Sequence, residues 1–465
     1  MHLLLPFLLA AAATASTAAP DAPPGTRLGL LVVDEDGREL AAQRADERFV
    51  PASNTKMFTT AAAFALLDTV APDADGGASV RLEGRDVVLV GHGDARLSSA
   101  ADCAADCLGD LAKAVARRTR VVHDVIGDDT AFPDERWPAG MSWNNMAGRY
   151  GTAISALTVD DNVVTLTVRP TVTGKPATVS GDGYLTIENN TVTGAAGSRA
   201  DTGFARLPGS DVLRITGTVP ADGGGEMLTV GIDDPAHRAA WRLSRLLRAA
   251  GVRVTGAVTV RHRAISPGDD PVARGAAPPA RAPEPPMLAR LTPSPLDEDL
   301  RVTSKVSQNL HAELLLRRVA RVAGSGSVAD GQRAVSALLA RAGVGRDAYD
   351  FADGSGMSNY NRLTPRAAVG FLRWTRTQPW GAAWRATLPV GGVDGTLARR
   401  FRGTPLEGRV FAKTGSLNAA NALSGFLIAA SGRTLTFSAL ANDMAQDAAA
   451  TQAIDGALLD IAARN

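Results

Sequence analysis

Pro51-Ala52-Ser53-Asn54-Thr55-Lys56-Met57 is the stretch on which the reading of this chain turns. Ser53 and Lys56 are three residues apart, so on a helix they share a face one turn from each other. The run that follows, Met57 to Leu67, is rich in Ala, Phe and Leu and predicts a buried helix. A serine opening such a helix sits where backbone N–H groups converge and the helix dipole favours negative charge. A lysine one turn on accepts that serine's proton if burial and a second cation keep it partly neutral. The pair alone carries little weight, because Ser-x-x-Lys arises by chance in most chains of this size and fits an ordinary helix start equally well.

Two later segments add to it. Ser307-Gln308-Asn309 falls near the middle of a largely helical run, Leu296 to Arg321, and Lys413-Thr414-Gly415 ends a strand-like run, Arg409 to Ala412. Lysine usage is independent support. Only five of the 49 basic residues are lysine: Lys56, Lys113, Lys175, Lys305 and Lys413. Arg does not give up its proton in a protein, whereas Lys does when its surroundings favour the neutral amine. A chain that writes Arg almost everywhere, yet Lys at 56 and 413, needs ammonium groups there.

The 465 residues suffice for two or three domains. A net charge of +1, with both signs interspersed, gives no footprint for a polyanion, so nucleic acid is not an expected partner. Residues 1–19 read as a signal peptide: an apolar run, Leu3 to Ala13, precedes small residues that offer cleavage after Ala15, Ala18 or Ala19. Export is therefore expected, and no later run is long enough to span a membrane. Cys103 and Cys107 are the only cysteines; in an exported protein they are expected to pair with each other. On a helix their Cα atoms would lie roughly 6 Å apart, within disulfide range, but with Cβ directions that call for a local bend. The six histidines are scattered without ligand spacing, so neither a metal nor another cofactor is expected.

In chain order, Arg27 to Val33 and Glu39 to Gln43 flank the turn at Asp34 to Gly37 and predict a hairpin. Short strands are expected over Val80 to Val90 and Val121 to Asp128, with a helix over Leu108 to Arg118 between them. From Leu157 to Ile232 the chain is β-type runs broken by Gly, Asn and Asp. Helix Pro235 to Ala250 and strand Val252 to Val260 follow, then a Pro-, Ala- and Gly-rich linker, Gly268 to Pro286. Strands over Arg409–Lys413, Ala422–Ala429 and Thr434–Ala441 and a helix from Gln446 to Ala462 end the chain. One site needs both chain ends, so 22–72 and 285–465 are expected to form one discontinuous catalytic domain. Residues 73–160 and 233–284 form an inserted domain on this reading, and 161–232 an all-β domain nested within it.

The combination of motifs resembles the class C penicillin-binding proteins, the exported D-alanyl-D-alanine carboxypeptidase/endopeptidases. It includes the Ser53, Ser307 and Lys413 triplets in the order found in serine β-lactamases and penicillin-binding proteins. It also takes in Asp353-Gly354-Ser355-Gly356, Asn361 to Pro365, Leu388 to Thr396 and Lys413 to Leu417. The resemblance implies an α/β transpeptidase-like domain whose five-stranded antiparallel sheet is flanked by helices, with the two insertions already described. It implies that Ser53 is acylated, that Lys56 is its base and that Ser307 relays a proton towards the leaving amine. Asn309 would hold the substrate amide. Lys413 would lower the pKa of Lys56 and, with Thr414, bind the terminal carboxylate. Gly415 and Ser416 would lie along the peptide, and the N–H groups of Ser53 and Ser416 would form the oxyanion hole. Asn145 and Asn359 stand where relatives selective for diaminopimelate carry an acid and an Arg. The implied partners are the peptidoglycan stem peptide and β-lactams as covalent inhibitors. A β-lactamase or D-amino-acid esterase on the same fold is the alternative, and a non-catalytic wall-binding protein fits less well with intact motifs.

Overall fold

The computed structural model describes residues 22–275, 277–281, 283–445 and 447–465; the expected signal peptide lies outside the described residues, as does Gln446. Arg27–Val33 (β1) and Glu39–Gln43 (β2) form the hairpin, its turn tied by Asp34, whose carboxylate accepts the N–H of Asp36 and Arg38. Lys56–Leu66 (α1) follows a 3-10 turn at Ala52–Thr55. Leu296–Lys305 (α2), Asn309–Ala323 (α3) and Pro365–Thr375 (α4) come after the long excursion. Val410–Leu417 (β3), Ala420–Ile428 (β4) and Thr434–Asn442 (β5) then run to Thr451–Arg464 (α5), which starts later than the sequence pattern suggests.

These strands make one five-stranded sheet in the order β3-β4-β5-β1-β2, with every neighbour antiparallel. Strand β1 pairs with β5 from Arg27↔Asn442 to Val33↔Thr436, so the two ends of the described chain are joined at the centre of the sheet. Strand β5 is buried on both faces, as its near-continuous apolar sequence requires. One face packs against helices α1 to α4 through Phe58, Phe371, Trp384 and Phe426. The other is covered by α5 and by Leu397, Phe401 and Leu406. Phe58 is fully buried between Phe351 and Phe371, and truncating it to Ala would cost about 3–5 kcal/mol.

A second sheet takes Val258–Arg261, Val125–Asp128, Asp86–Val90, Ser79–Glu83 and Ala289–Arg290 in that order. Helices Leu108–Arg118 and Pro235–Ala249 share its core. Two expected strands are each split here. Val121–Val122 pairs with Arg253–Val254, while Val125–Asp128 pairs with Val258–Arg261. Asp124 occupies the break and its Oδ1 accepts the N–H of Ala257, a local bond of the kind that interrupts a ladder.

The all-β stretch forms two three-stranded sheets around Val164, Leu166, Leu213, Ile215 and Val230. Buried Asn162 fastens its entry to its exit by donating to the carbonyls of Ala153 and Ile232. The expected linker contains a 3-10 turn at Pro267–Asp269 and a helical turn at Pro271–Arg274, where the Asp270 side chain accepts the N–H of Val272 and Pro271 takes the first helical position. Cys103 and Cys107 are joined by a disulfide with Cα atoms 5.7 Å apart; the segment is a bend rather than a helix, with Asp106 at φ +55.

Candidate active site

Ser53 lies on the 3-10 turn that leads into α1, held from both sides. Asn442 of β5 clamps Val50, three residues before Ser53, accepting its N–H at 2.7 Å and donating to its carbonyl at 3.1 Å. Ala52 takes a left-handed φ of +47, the strained kind of backbone that persists where its surroundings over-determine it. Two glycines make room for this turn. A Cβ on Gly415 would lie 2.6 Å from the Pro51 carbonyl oxygen, and one on Gly356, at φ +90, would lie 1.9 Å from that of Ala52.

Lys56 is fully buried, and its Nζ makes three contacts: Ser53 Oγ at 3.0 Å, Asn309 Oδ1 at 2.6 Å and the Ser355 carbonyl at 2.6 Å. Two of these partners are oxygens that only accept, and the third is a hydroxyl that also donates. A neutral amine has two N–H groups and one lone pair, so this set satisfies it with the lone pair facing Ser53. Burial pulls the Lys56 pKa down to about 7, while the carboxylates of Asp353 and Glu313 work in the opposite direction. Lys413, also fully buried, donates to Ser307 Oγ and to the Thr414 carbonyl, each at 2.9 Å. Burial, and then the nearby Lys56, pull it well below the usual lysine range. Burial is the first cause of the low Lys56 pKa, and repulsion between the two buried amines disfavours protonating both.

Ser307 is not within a helix. Helix α2 ends at Lys305, Ser307 has φ +66, and the Gln308 side chain caps α3 by accepting the N–H of Leu310. The break turns Ser307 towards Lys413 and leaves Asn309 at the first position of α3. Asn309 bridges to the inserted loop, its Nδ2 donating to the Tyr150 carbonyl at 2.8 Å. Thr414 Oγ1 lies 2.7 Å from Thr396 Oγ1, which places the Gly391-to-Thr396 loop beside β3.

Two buried acids support the loop under Lys56, and sequence reasoning did not single out the first. Glu313 accepts the N–H groups of Gly354 and Ser355 at 3.0 and 2.9 Å, and Asp353 accepts those of Gly356 and Ser358 at 2.9 and 2.7 Å. Together they fix the Ser355 carbonyl against the amine. Burial, and then the neighbouring Asp353, push the Glu313 carboxyl up to about 7. The available signal was its place four residues after Asn309, one turn along the same helix face.

A cleft of about 630 Å³ opens above Ser53, lined by Ser307, Asn309, Thr414 and Ser416, with Asn145 on the inserted loop. Asn359 does not line it. It is exposed, and both its backbone N–H and its Nδ2 donate to the Gly140 carbonyl; Met357 reaches the cleft instead. Among the described residues no group of His, Cys, Asp and Glu is arranged to hold a metal ion.

Sheet, helices and cleft together are those of the penicillin-binding proteins. The crystal structure of penicillin binding protein 4 from Haemophilus influenzae matches with a TM-score of 0.76 at 20% identity, covering 94% of this chain and 97% of that one. The same protein complexed with a β-lactam matches with a TM-score of 0.71 at 19% identity, over 95% and 97%. The model of the D-Ala-D-Ala carboxypeptidase 3 (S13) family matches residues 10–464. The chain is 34% identical over 448 residues to a D-alanyl-D-alanine carboxypeptidase of Actinomadura sp. (strain R39), covering 90% of this chain and 78% of that one. It is 27% identical to the penicillin-sensitive carboxypeptidase A of Dictyostelium discoideum, over 82% and 74%. The chain belongs to the D-Ala-D-Ala carboxypeptidase 3 (S13) family and is a peptidase of that family.

Proposed function

We propose that this is an exported serine D-Ala-D-Ala carboxypeptidase that acts on peptidoglycan stem peptides through an acyl-enzyme on Ser53 and is acylated by β-lactams. The observation that carries the reading is the placement of the buried Lys56 Nζ, 3.0 Å from Ser53 Oγ and bonded to Asn309 Oδ1 and the Ser355 carbonyl, so that its neutral form can turn its lone pair to the Ser53 hydroxyl. Ser53 Oγ attacks the carbonyl of the penultimate D-alanine while its proton passes to Lys56 Nζ. The N–H groups of Ser53 and Ser416 hold the developing oxyanion. As the C–N bond breaks, Ser307, hydrogen-bonded to Lys413, relays the proton held by Lys56 to the leaving amine, which returns Lys56 to its neutral form. Water then attacks the ester, the acid product departs and Ser53 regains its proton. The peptide lies along β3, the edge strand of the sheet, as an added strand. Thr414 and Lys413 receive the terminal carboxylate.

Mass spectrometry after penicillin exposure tests this, with the adduct expected on the peptide that holds Ser53. An adduct elsewhere, or none with several penicillins, removes the assignment. Rapid release of hydrolysed penicillin would move the reading to a β-lactamase.

A further inference from the structure

The cleft does not end at Thr414. It continues past the Thr396 hydroxyl to Arg400 and Thr451, on the side of β3 covered by α5. On the reading above, this is where the leaving group goes, because Thr414 takes the carboxylate next to the scissile bond. Arg400 is held there by Asp455 of α5, which accepts from its Nε and one Nη, and it remains 18% exposed. A guanidinium carries five N–H donors in a rigid fork. The Asp455 pair therefore fixes the orientation and leaves the Nη1 group without a protein partner among the described residues. Among the described residues no carboxylate lines the cleft, and beyond Thr414 Arg400 is the charged side chain that does. Arg399 and Arg402 flank it in sequence, both exposed and neither in an ion pair among the described residues, which adds to the positive potential.

We infer that Arg400 forms an anion subsite for leaving groups that carry a second carboxylate beyond the one at Thr414. The substrate class is a D-alanyl amide of an acidic D-amino acid, whose second carboxylate Arg400 selects; this rests on the acyl-enzyme reading above. A short terminal D-alanine reaches Thr414 and leaves the Arg400 end of the cleft empty. A longer acidic leaving group fills it and gains charge-assisted hydrogen bonds.

The test uses two N-acylated D-Ala amides, one releasing D-α-aminoadipate and the other its side-chain carboxamide. The wild-type enzyme is expected to prefer the acid by about tenfold or more in kcat/KM, the size of one charge-assisted bond. Arg400→Gln is expected to bring that ratio within about twofold of unity, and Arg400→Lys to retain part of it, because a point charge replaces an oriented fork. Since each variant is compared with itself on two substrates, a general loss of activity does not imitate the result. No preference in the wild type, or the same preference in Arg400→Gln, overturns the inference. Penicillin acylation at Ser53, measured on each variant, reports separately on the reading beneath it.

Discussion

Two buried clusters on either side of the α2–α3 break treat a basic side chain in opposite ways. In the cleft, Lys56 and Lys413 meet hydroxyls, a carboxamide and backbone carbonyls, and their pKa values fall. Four residues after Ser307, His311 of α3 lies between Asp299 of α2 and Asp161 at the edge of the all-β module. Burial pulls its pKa down, but the two carboxylates outweigh this and push it up to about 10. His311 is 3% exposed and Lys56 not at all, so burial alone does not decide the direction. The partner does: a neutral acceptor leaves a base, and a carboxylate makes a fastener.

The difference appears most sharply on replacing Lys56. Lys56→Arg keeps the positive charge but has no neutral form at working pH, so Ser53 acylation by penicillin should slow by about a thousandfold or more, against a general-base contribution of roughly 10²–10⁴. Stopped-flow or timed mass spectrometry measures it, and an unchanged rate would place the base elsewhere.

Acylation should next follow the neutral fraction of Lys56. With a pKa of about 7, the rate should climb roughly tenfold per pH unit below about pH 6 and level off above about pH 8. A rate that is flat between pH 5 and 9 would break the contrast.

The clusters should also oppose each other in stability. Between about 7 and 10.5, folded Lys56 holds fewer protons than the unfolded chain, so its contribution to stability rises with pH. His311 is protonated in the folded state and neutral in the unfolded one between 6.5 and about 10. Its stabilisation is fully present below 6.5 and is lost as pH rises through about 10. His311→Gln should therefore cost about 3 kcal/mol near pH 6, in the range for breaking a buried pair, and much less near pH 10. Thermal unfolding at the two pH values reads this, and an equal loss at both would mean that packing, not charge, is what His311 supplies.

The smallest effect is expected at Cys103 and Cys107, far along the chain from both clusters. The loop they close spans four residues, so replacing both with Ser should cost at most about 2 kcal/mol in chain entropy. It should also leave the pH profile of acylation unmoved. Any change in that profile would show that the inserted domain reaches the lysines.

The sequence carried much of this. Ser53 and Lys56 were legible because three-residue spacing fixes a shared helix face, and the β1–β2 hairpin because its turn residues are explicit. The break at Ser307 was not, since the run from Leu296 to Arg321 contains no Gly or Pro to mark a left-handed residue. The bonds of Asn359 to Gly140 were not legible either, because a loop's tertiary contacts leave no trace in local pattern. Glu313 under Lys56 was hidden for a related reason. A Glu on an amphipathic helix reads as solvent-facing until a loop elsewhere in the chain is known to cover it.

The pairing of β1 with β5 has a consequence for biosynthesis. Arg27 meets Asn442 across more than four hundred residues, and Asn442 is also the clamp on Val50, close to Ser53. During synthesis the first hairpin must wait for the last strand, while the inserted sheets have partners nearer in sequence and are free to form earlier. The Ser53 turn is thus unfinished for most of translation. A ribosome-bound chain stopped before β5 should carry Ser53, Lys56 and even Lys413 without capturing penicillin, which makes capture a readout of the last long-range closure in folding.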